Sequence, residues 1–156
     1  MIELNHKTQQ DFLNREWVQK LLDAGVDMSD AYYYLHTLPG EDCFIIEKDR
    51  ADNLKEKRLS DEILPTYTVS ELLYKLHEWI YPTIDGIEYS GGLRLSKDAP
   101  FYFAYYDVHE CGKDNHLSEE FFAEAEYPIE SLASLLIMCQ KRDIGFEYKN
   151  INIKDK

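Results

Sequence analysis

Residues 107–116 hold the densest set of side chains that could bind a metal ion. The candidate ligands are His109, Cys111 and His116, with nitrogen or sulfur for zinc, and the carboxylates of Asp107 and Asp114. A structural zinc site usually uses two spaced ligand pairs, and the sequence holds no second pair. The spacing of a calcium loop is missing as well. The pattern favours a polar, solvated loop without metal, although it leaves open whether His109, Cys111 and His116 bind one.

Nucleophilic chemistry has an equally weak basis in the sequence. Cys111 lies close to His109 and His116, but the surrounding carboxylates disfavour the thiolate that a nucleophilic cysteine needs. Residues 90–92, Ser-Gly-Gly, lack the Gly-x-Ser-x-Gly frame of a nucleophile elbow. Neither a phosphate-binding loop nor a dinucleotide fingerprint occurs. We therefore predict no catalytic residue and no cofactor, and a protein that is not an enzyme.

Negative charge is the main electrostatic feature of the chain. The formal net charge is −13, and residues 98–130 alone hold nine carboxylates against one lysine. Such a balance disfavours direct binding to nucleic acid or anionic membrane, which need a positive surface. The carboxylates could instead occupy a basic groove on another protein, or they could form a solvated face that keeps the protein soluble. The candidate partner-binding residues, called the acidic segment below, are Asp107, Glu110, Asp114, Glu119, Glu120, Glu124 and Glu126.

Residues 101–106 are rich in phenylalanine and tyrosine. Aromatic rings in such a row can stack on the bases of single-stranded nucleic acid, but those sites also need basic residues, and this segment has none. The sequence therefore favours packing in the core for these rings.

Three helices with apolar stripes organise the predicted fold. The first covers residues 15–24, after the N-cap residue Asn14. The central one covers residues 68–80 and begins with a Thr-x-x-Glu capping box. The last covers residues 128–142, with a proline at its first position.

The predicted strands lie between these helices. Residues 31–36 and 43–48 predict one hairpin, and residues 87–96 and 101–108 predict a second. Residues 121–126 suit either a helix or a short strand, and residues 146–153 could add an edge strand. The Gly91-Gly92 pair indicates a bulge or a close neighbour.

The order α-β-β-α-β-β-α(-β) predicts an α+β fold with antiparallel sheet and three main helices packed on one side. A chain of 156 residues suits a single domain over 1–156. Two sub-lobes, 1–48 and 63–156, could be joined by a polar connector, 49–62. The chain has three cysteines without a paired motif, no secretory signal and no membrane-spanning apolar run, so we expect a cytoplasmic protein.

Residues 17–25 form a helix that ends at a glycine, and the tyrosine-rich residues 32–34 follow it. Pro65-Thr66 then introduces a helix with a tryptophan near its end, and residues 127–139 form an amphipathic helix introduced by tyrosine. This layout resembles a group of small uncharacterised proteins found in gut Bacteroidetes and in their phages and mobile elements. The chain differs from the group in its long acidic stretch, 107–126, and in its C-terminal tail.

The resemblance implies an accessory protein of a mobile element, and it transfers no catalytic residue. Together with the charge, it favours a non-enzymatic protein that binds another protein, such as an inhibitor of a host nucleic-acid-binding or defence protein. The alternative is a small-ligand binder or enzyme with a pocket between the central helix and the sheet, where His77, His109 or Tyr105 could converge. A structural homo-oligomer is also open.

Overall fold

The computed structural model describes residues 2–3, 11–40, 42–57, 61–111, 113 and 121–142. The chain divides into two compact units, Met1–Glu71 and Leu72–Lys156. The division lies outside the stretch 49–62 that the sequence suggested as a connector. The expectation of one domain over 1–156 stays a prediction.

The first unit contains a four-stranded antiparallel sheet. Its strands are β1 (Ile2–Glu3), β2 (Tyr33–Thr37), β3 (Cys43–Glu47) and β4 (Glu62–Thr66), in the order β1-β3-β2-β4. The predicted hairpin of β2 and β3 is confirmed, with Tyr33 opposite Glu47 and Thr37 opposite Cys43. Leu35 and Ile45 face each other at its centre and are buried, which anchors the register by burial of apolar area.

Two helices belong wholly to this unit. Helix α1 (Arg15–Asp23) follows the prediction, because the Asn14 side chain accepts a hydrogen bond from the backbone N–H of Trp17 at 3.1 Å. Gly25, with φ 87°, follows its end. Helix α2 (Lys48–Lys57) occupies much of the stretch 49–62, for which the sequence predicted a polar connector with at most one helical turn. Ala51 is fully buried, so tertiary packing stabilises a helix whose other residues are mostly polar.

These two helices lie on opposite faces of the first sheet. Helix α1 lies on the face that carries Thr37 and Glu62, as the ion pair between the Arg15 guanidinium and the Glu62 carboxylate shows. Helix α2 reaches the other face, where the Lys55 ammonium lies 4.8 Å from the ring centroid of Tyr34. Helix α2 was not among the three main helices expected on one side, so it adds a helix on the second face. The physical reason is that consecutive residues of β2 and β3 are buried on both faces.

The second unit contains a five-stranded antiparallel sheet. Its strands are β5 (Trp79–Ile80), β6 (Thr83–Ile84), β7 (Ile87–Asp98), β8 (Phe101–Glu110) and β9 (Phe122–Ala125), in the order β5-β7-β8-β9 with β6 also paired to β7. The predicted second hairpin is confirmed and is longer than expected. Residues 121–126, for which the sequence allowed either a helix or a strand, contain strand β9. The α+β class with antiparallel sheets is thus confirmed.

The central helix is much shorter than predicted. Helix α3 is Val69–Lys75 and spans the division between the two units. Its capping box is confirmed: the backbone N–H of Thr68 donates to the Glu71 carboxylate at 3.0 Å, and the N–H of Glu71 donates to the Thr68 hydroxyl at 3.2 Å. Residues 79–80 leave the predicted helix and pair with β7. Strand pairing replaces helical hydrogen bonds there, so the apolar spacing over 68–80 was misleading.

The Gly91-Gly92 pair marks close neighbours and not a bulge. Each residue of β7 from Tyr89 to Asp98 has its own partner in β8, from Glu110 to Phe101, so no extra residue forms a bulge. A Cβ on Gly91 would lie 2.7 Å from Cγ2 of Val108, whereas one on Gly92 would lie 3.3 Å from the Trp79 indole. Each glycine therefore makes room for a neighbour on a different face of the sheet.

Helix α4 (Pro128–Lys141) packs against β8 and β9 and confirms the last predicted helix. The predicted core face is buried and consists of Ile129, Leu132, Leu135, Leu136 and Cys139. Burial raises the pKa of the Cys139 thiol to about 12. Within the same unit the Tyr106 hydroxyl donates to the His77 carbonyl oxygen at 2.6 Å. None of the described helices is long and apolar enough to cross a membrane.

The glycine pair gives a test of this packing. Gly91→Ala is expected to lower the free energy of unfolding by about 1–3 kcal/mol, because the added methyl group overlaps Val108 and the β8 backbone. Gly92→Ala is the matched control and should cost less, since the Trp79 ring beside it is 44% exposed and can shift. Denaturant unfolding measures both. Equal losses in the two variants would contradict the close approach at Gly91.

Candidate functional site

The second sheet has two different faces because strand residues alternate. On one face Ala104, Tyr106 and Val108 of β8 and Ala123 of β9 are buried beneath α4. We call the other the aromatic face. Its described residues include Trp79 of β5, Glu88, Gly92, Arg94 and Asp98 of β7, Phe101, Phe103, Tyr105, Asp107 and His109 of β8, and Phe122 and Glu124 of β9.

Large rings lie at the surface on the aromatic face. Phe122 lies between Phe103 and Tyr105, with ring centroids 5.3 Å and 5.7 Å away. Trp79 lies over Gly92, which has no side chain to lift the indole off the sheet. The exposed fractions are 44% for Trp79, 41% for Phe101 and 39% for Phe122. Several exposed aromatic residues on one sheet face characterise a contact surface more than a core.

The preference for core packing over residues 101–106 is therefore correct for only one face of β8. Ala104 and Tyr106 are in the core, whereas Phe101 is exposed and Phe103 and Tyr105 are half-buried on the aromatic face. Large residues occupy both the odd and the even positions of 101–106, and the sequence does not show which of the two sets a helix covers.

The charges on the aromatic face are mostly negative. Its described strand residues include four carboxylates, Glu88, Asp98, Asp107 and Glu124, and a single arginine, Arg94. Glu124 lies opposite Phe103, and Arg94 lies opposite Tyr105. The Asp107 carboxylate lies 3.4 Å from Nε2 of His109, and both side chains are more than a third exposed. Rings and carboxylates therefore share one surface.

The acidic segment is divided by the fold. Asp107 and Glu124 lie on the aromatic face, whereas Glu110 lies on the opposite face beside Tyr89 and pairs with Lys113 at 3.1 Å. Glu126 is exposed just after β9. The remaining members, Asp114, Glu119 and Glu120, lie outside the described residues. The described carboxylates of the acidic segment thus do not form one continuous patch.

The possible metal ligands are only partly covered by the structure. His109 and Asp107 are neighbours on the aromatic face, and Cys111 is exposed just beyond the end of β8. His116 and Asp114 lie outside the described residues. In the part of the chain that is described, no three histidine, cysteine or acidic side chains are grouped so that they could hold a metal ion.

The residues named for a ligand pocket lie in different settings. Tyr105 and His109 share the aromatic face of β8. His77 follows α3 and is half-buried, and its carbonyl oxygen accepts the hydrogen bond from Tyr106. The alternative of a pocket between the central helix and the sheet stays a prediction.

One pair of ionisable groups was missed by the sequence analysis. In the first unit Nε2 of His36 lies 2.9 Å from the Asp61 carboxylate, and these side chains are only 8% and 4% exposed. No motif links two residues 25 positions apart, so only the fold reveals the pair. Its burial leaves little access for a ligand, and we interpret the pair as a satisfied polar contact of the core.

No protein-family model, curated protein or solved structure matches the chain. The resemblance to small proteins of gut Bacteroidetes and their mobile elements therefore stays a prediction.

The two faces of β9 can be tested with adjacent phenylalanines. Phe121→Ala is expected to lower the free energy of unfolding by about 3–5 kcal/mol, because the ring is fully buried. Phe122→Thr should cost about 1 kcal/mol or less, because the ring is 39% exposed and threonine suits a strand. Denaturant unfolding compares them. A larger loss for Phe122→Thr would show that the aromatic face is buried.

The buried pair of the first unit gives a further prediction. Asp61→Ala is expected to cost about 2 kcal/mol of unfolding free energy, because it leaves the buried His36 nitrogen without its acceptor. Asp61→Asn keeps an oxygen acceptor and should cost less. Thermal unfolding near neutral pH measures both variants, and a fully stable Asp61→Ala would rule out the contact.

Proposed function

We propose that this protein is a non-enzymatic accessory protein that binds another protein through the aromatic face of its second unit. The observation that supports the proposal is that exposed Trp79, Phe101 and Phe122 lie on the same sheet face as four carboxylates. Aromatic residues are enriched in protein interfaces, and tryptophan and tyrosine are frequent among the few residues that carry most of the binding energy.

The charge of the face narrows the kind of partner. Four carboxylates against one arginine favour a partner whose own surface is basic, because complementary potentials speed association and exclude wrong partners. Proteins that bind nucleic acid have such surfaces. A protein of this kind could inhibit a host nucleic-acid-binding or defence protein by occupying its basic groove. The resemblance to accessory proteins of mobile elements agrees with this role.

Affinity capture with charge-reversed variants tests the proposal. The immobilised chain is exposed to nuclease-treated lysate of a gut Bacteroidetes bacterium at low and at moderate salt, and bound proteins are identified by mass spectrometry. We expect the variant Asp107→Lys/Glu124→Lys to retain about tenfold less of a specific partner, because a like charge meets the partner's basic surface. The partner should be a nucleic-acid-binding protein.

The matched control is Asp52→Lys/Glu56→Lys, which changes the net charge equally on the exposed surface of α2 in the first unit. It should capture the partner as well as the unchanged chain does. The purified partner should also bind its nucleic acid less tightly when the chain is added. Capture of no protein, or equal loss in both variants, would refute binding through the aromatic face.

A further inference from the structure

The aromatic face has the two features that recognise a guanidinium group. Phe122 and its neighbours Phe103 and Tyr105 form a three-ring cluster, tilted by 34° and 36°, with the Phe122 ring at the surface. A planar cation can lie against such rings, attracted by the negative charge of the ring face. The cluster alone would accept any flat apolar or cationic group.

Carboxylates lie at two sides of the ring cluster. Glu124 lies opposite Phe103, and it is two residues from Phe122 on the same face of β9. Asp107 is two residues from Tyr105 on the same face of β8. Residues so spaced in a strand are about 7 Å apart, which is within reach of one long side chain lying on the rings. A carboxylate can accept two parallel hydrogen bonds from arginine, a geometry that lysine cannot supply.

Charge decides among the possible occupants of this face. The phosphates of nucleic acid would meet four carboxylates and one arginine, so the electrostatic term that drives such binding is unfavourable. A second copy of the chain, docked face to face, would bring the same carboxylates together, and like charges across an interface are costly. A basic protein segment meets neither penalty.

We propose that the aromatic face binds an arginine-rich segment of a basic protein. Guanidinium groups lie on the Phe103, Tyr105 and Phe122 rings and pair with the carboxylates of Asp107 and Glu124. The inference rests on the proposed function and deepens it, because it states the chemistry of the partner and the residues that select arginine over lysine.

Binding of labelled peptides by the whole chain tests the proposal. The probes are fluorescein-labelled nona-arginine and nona-lysine, which carry equal charge, and fluorescence anisotropy gives each dissociation constant. We expect nona-arginine to bind about fivefold or more tightly than nona-lysine, because only guanidinium both stacks and pairs in a bidentate manner. Circular dichroism confirms that each variant is folded.

Two variants separate the rings from the charges. Phe122→Thr should weaken nona-arginine binding about fivefold and nona-lysine binding much less, because it removes the exposed ring of the cluster. Asp107→Asn/Glu124→Gln should weaken nona-arginine binding about tenfold, since each exposed ion pair contributes a few-fold. The control Asp52→Asn/Glu56→Gln on α2 removes the same charge and should change binding less than about twofold.

Several results would overturn the inference. Equal loss in the control variant would show attraction by net charge alone, and equal affinity for both peptides would exclude selection of guanidinium. Tighter binding of single-stranded oligothymidine, or a dimer in light scattering that Phe122→Thr dissociates, would assign the face to nucleic acid or to a second copy. A different result would refute the proposed function: the lysate experiment would yield no protein partner, even if nona-arginine binds to the chain.

Discussion

The unbroken pairing of β7 with β8 is the constraint on which the second unit depends. Its register runs from Tyr89 opposite Glu110 to Asp98 opposite Phe101, so every side chain is assigned to one of two faces. Helix α4 covers the face of Ala104, Tyr106 and Val108. A shift by one residue would exchange the two sets and bury Asp107 in place of Val108. Burial of apolar area against α4 therefore also fixes which rings and carboxylates are presented together on the aromatic face.

Much of the architecture could be predicted because local signals and tertiary packing agree there. Helix α1 has a capping side chain, α4 begins with a proline, and both have apolar stripes. Both hairpins have dense β-branched and aromatic residues between turns. The predictions failed where packing overrode local preference. Residues 79–80 continue the helical spacing of α3, yet they pair with the glycines of β7. Helix α2 has one buried residue, Ala51, so the sequence has no apolar stripe there from which the helix could be predicted.

The candidate site was only half visible in the sequence for a related reason. The sequence assigns the aromatic residues of 101–106 to the core and the acidic segment to a surface, with nothing to connect the two. Strand pairing joins them, since Glu124 lies opposite Phe103, while Glu110 lies on the other face. Which carboxylates share a surface with which rings depends on register and on the position of α4, and neither can be read from spacing along the chain.

Hydroxyl-radical footprinting of the chain, alone and with nona-arginine, tests most directly whether the aromatic face is an exposed binding surface. In the free chain Phe122 should be oxidised much faster than fully buried Phe121, and the peptide should slow the oxidation of Phe122. Tyr32 and Tyr74, which are 51% and 77% exposed and belong to no strand of this sheet, should stay unchanged. Equal slow oxidation of both phenylalanines in the free chain, or protection only at Tyr32 and Tyr74, would contradict the account.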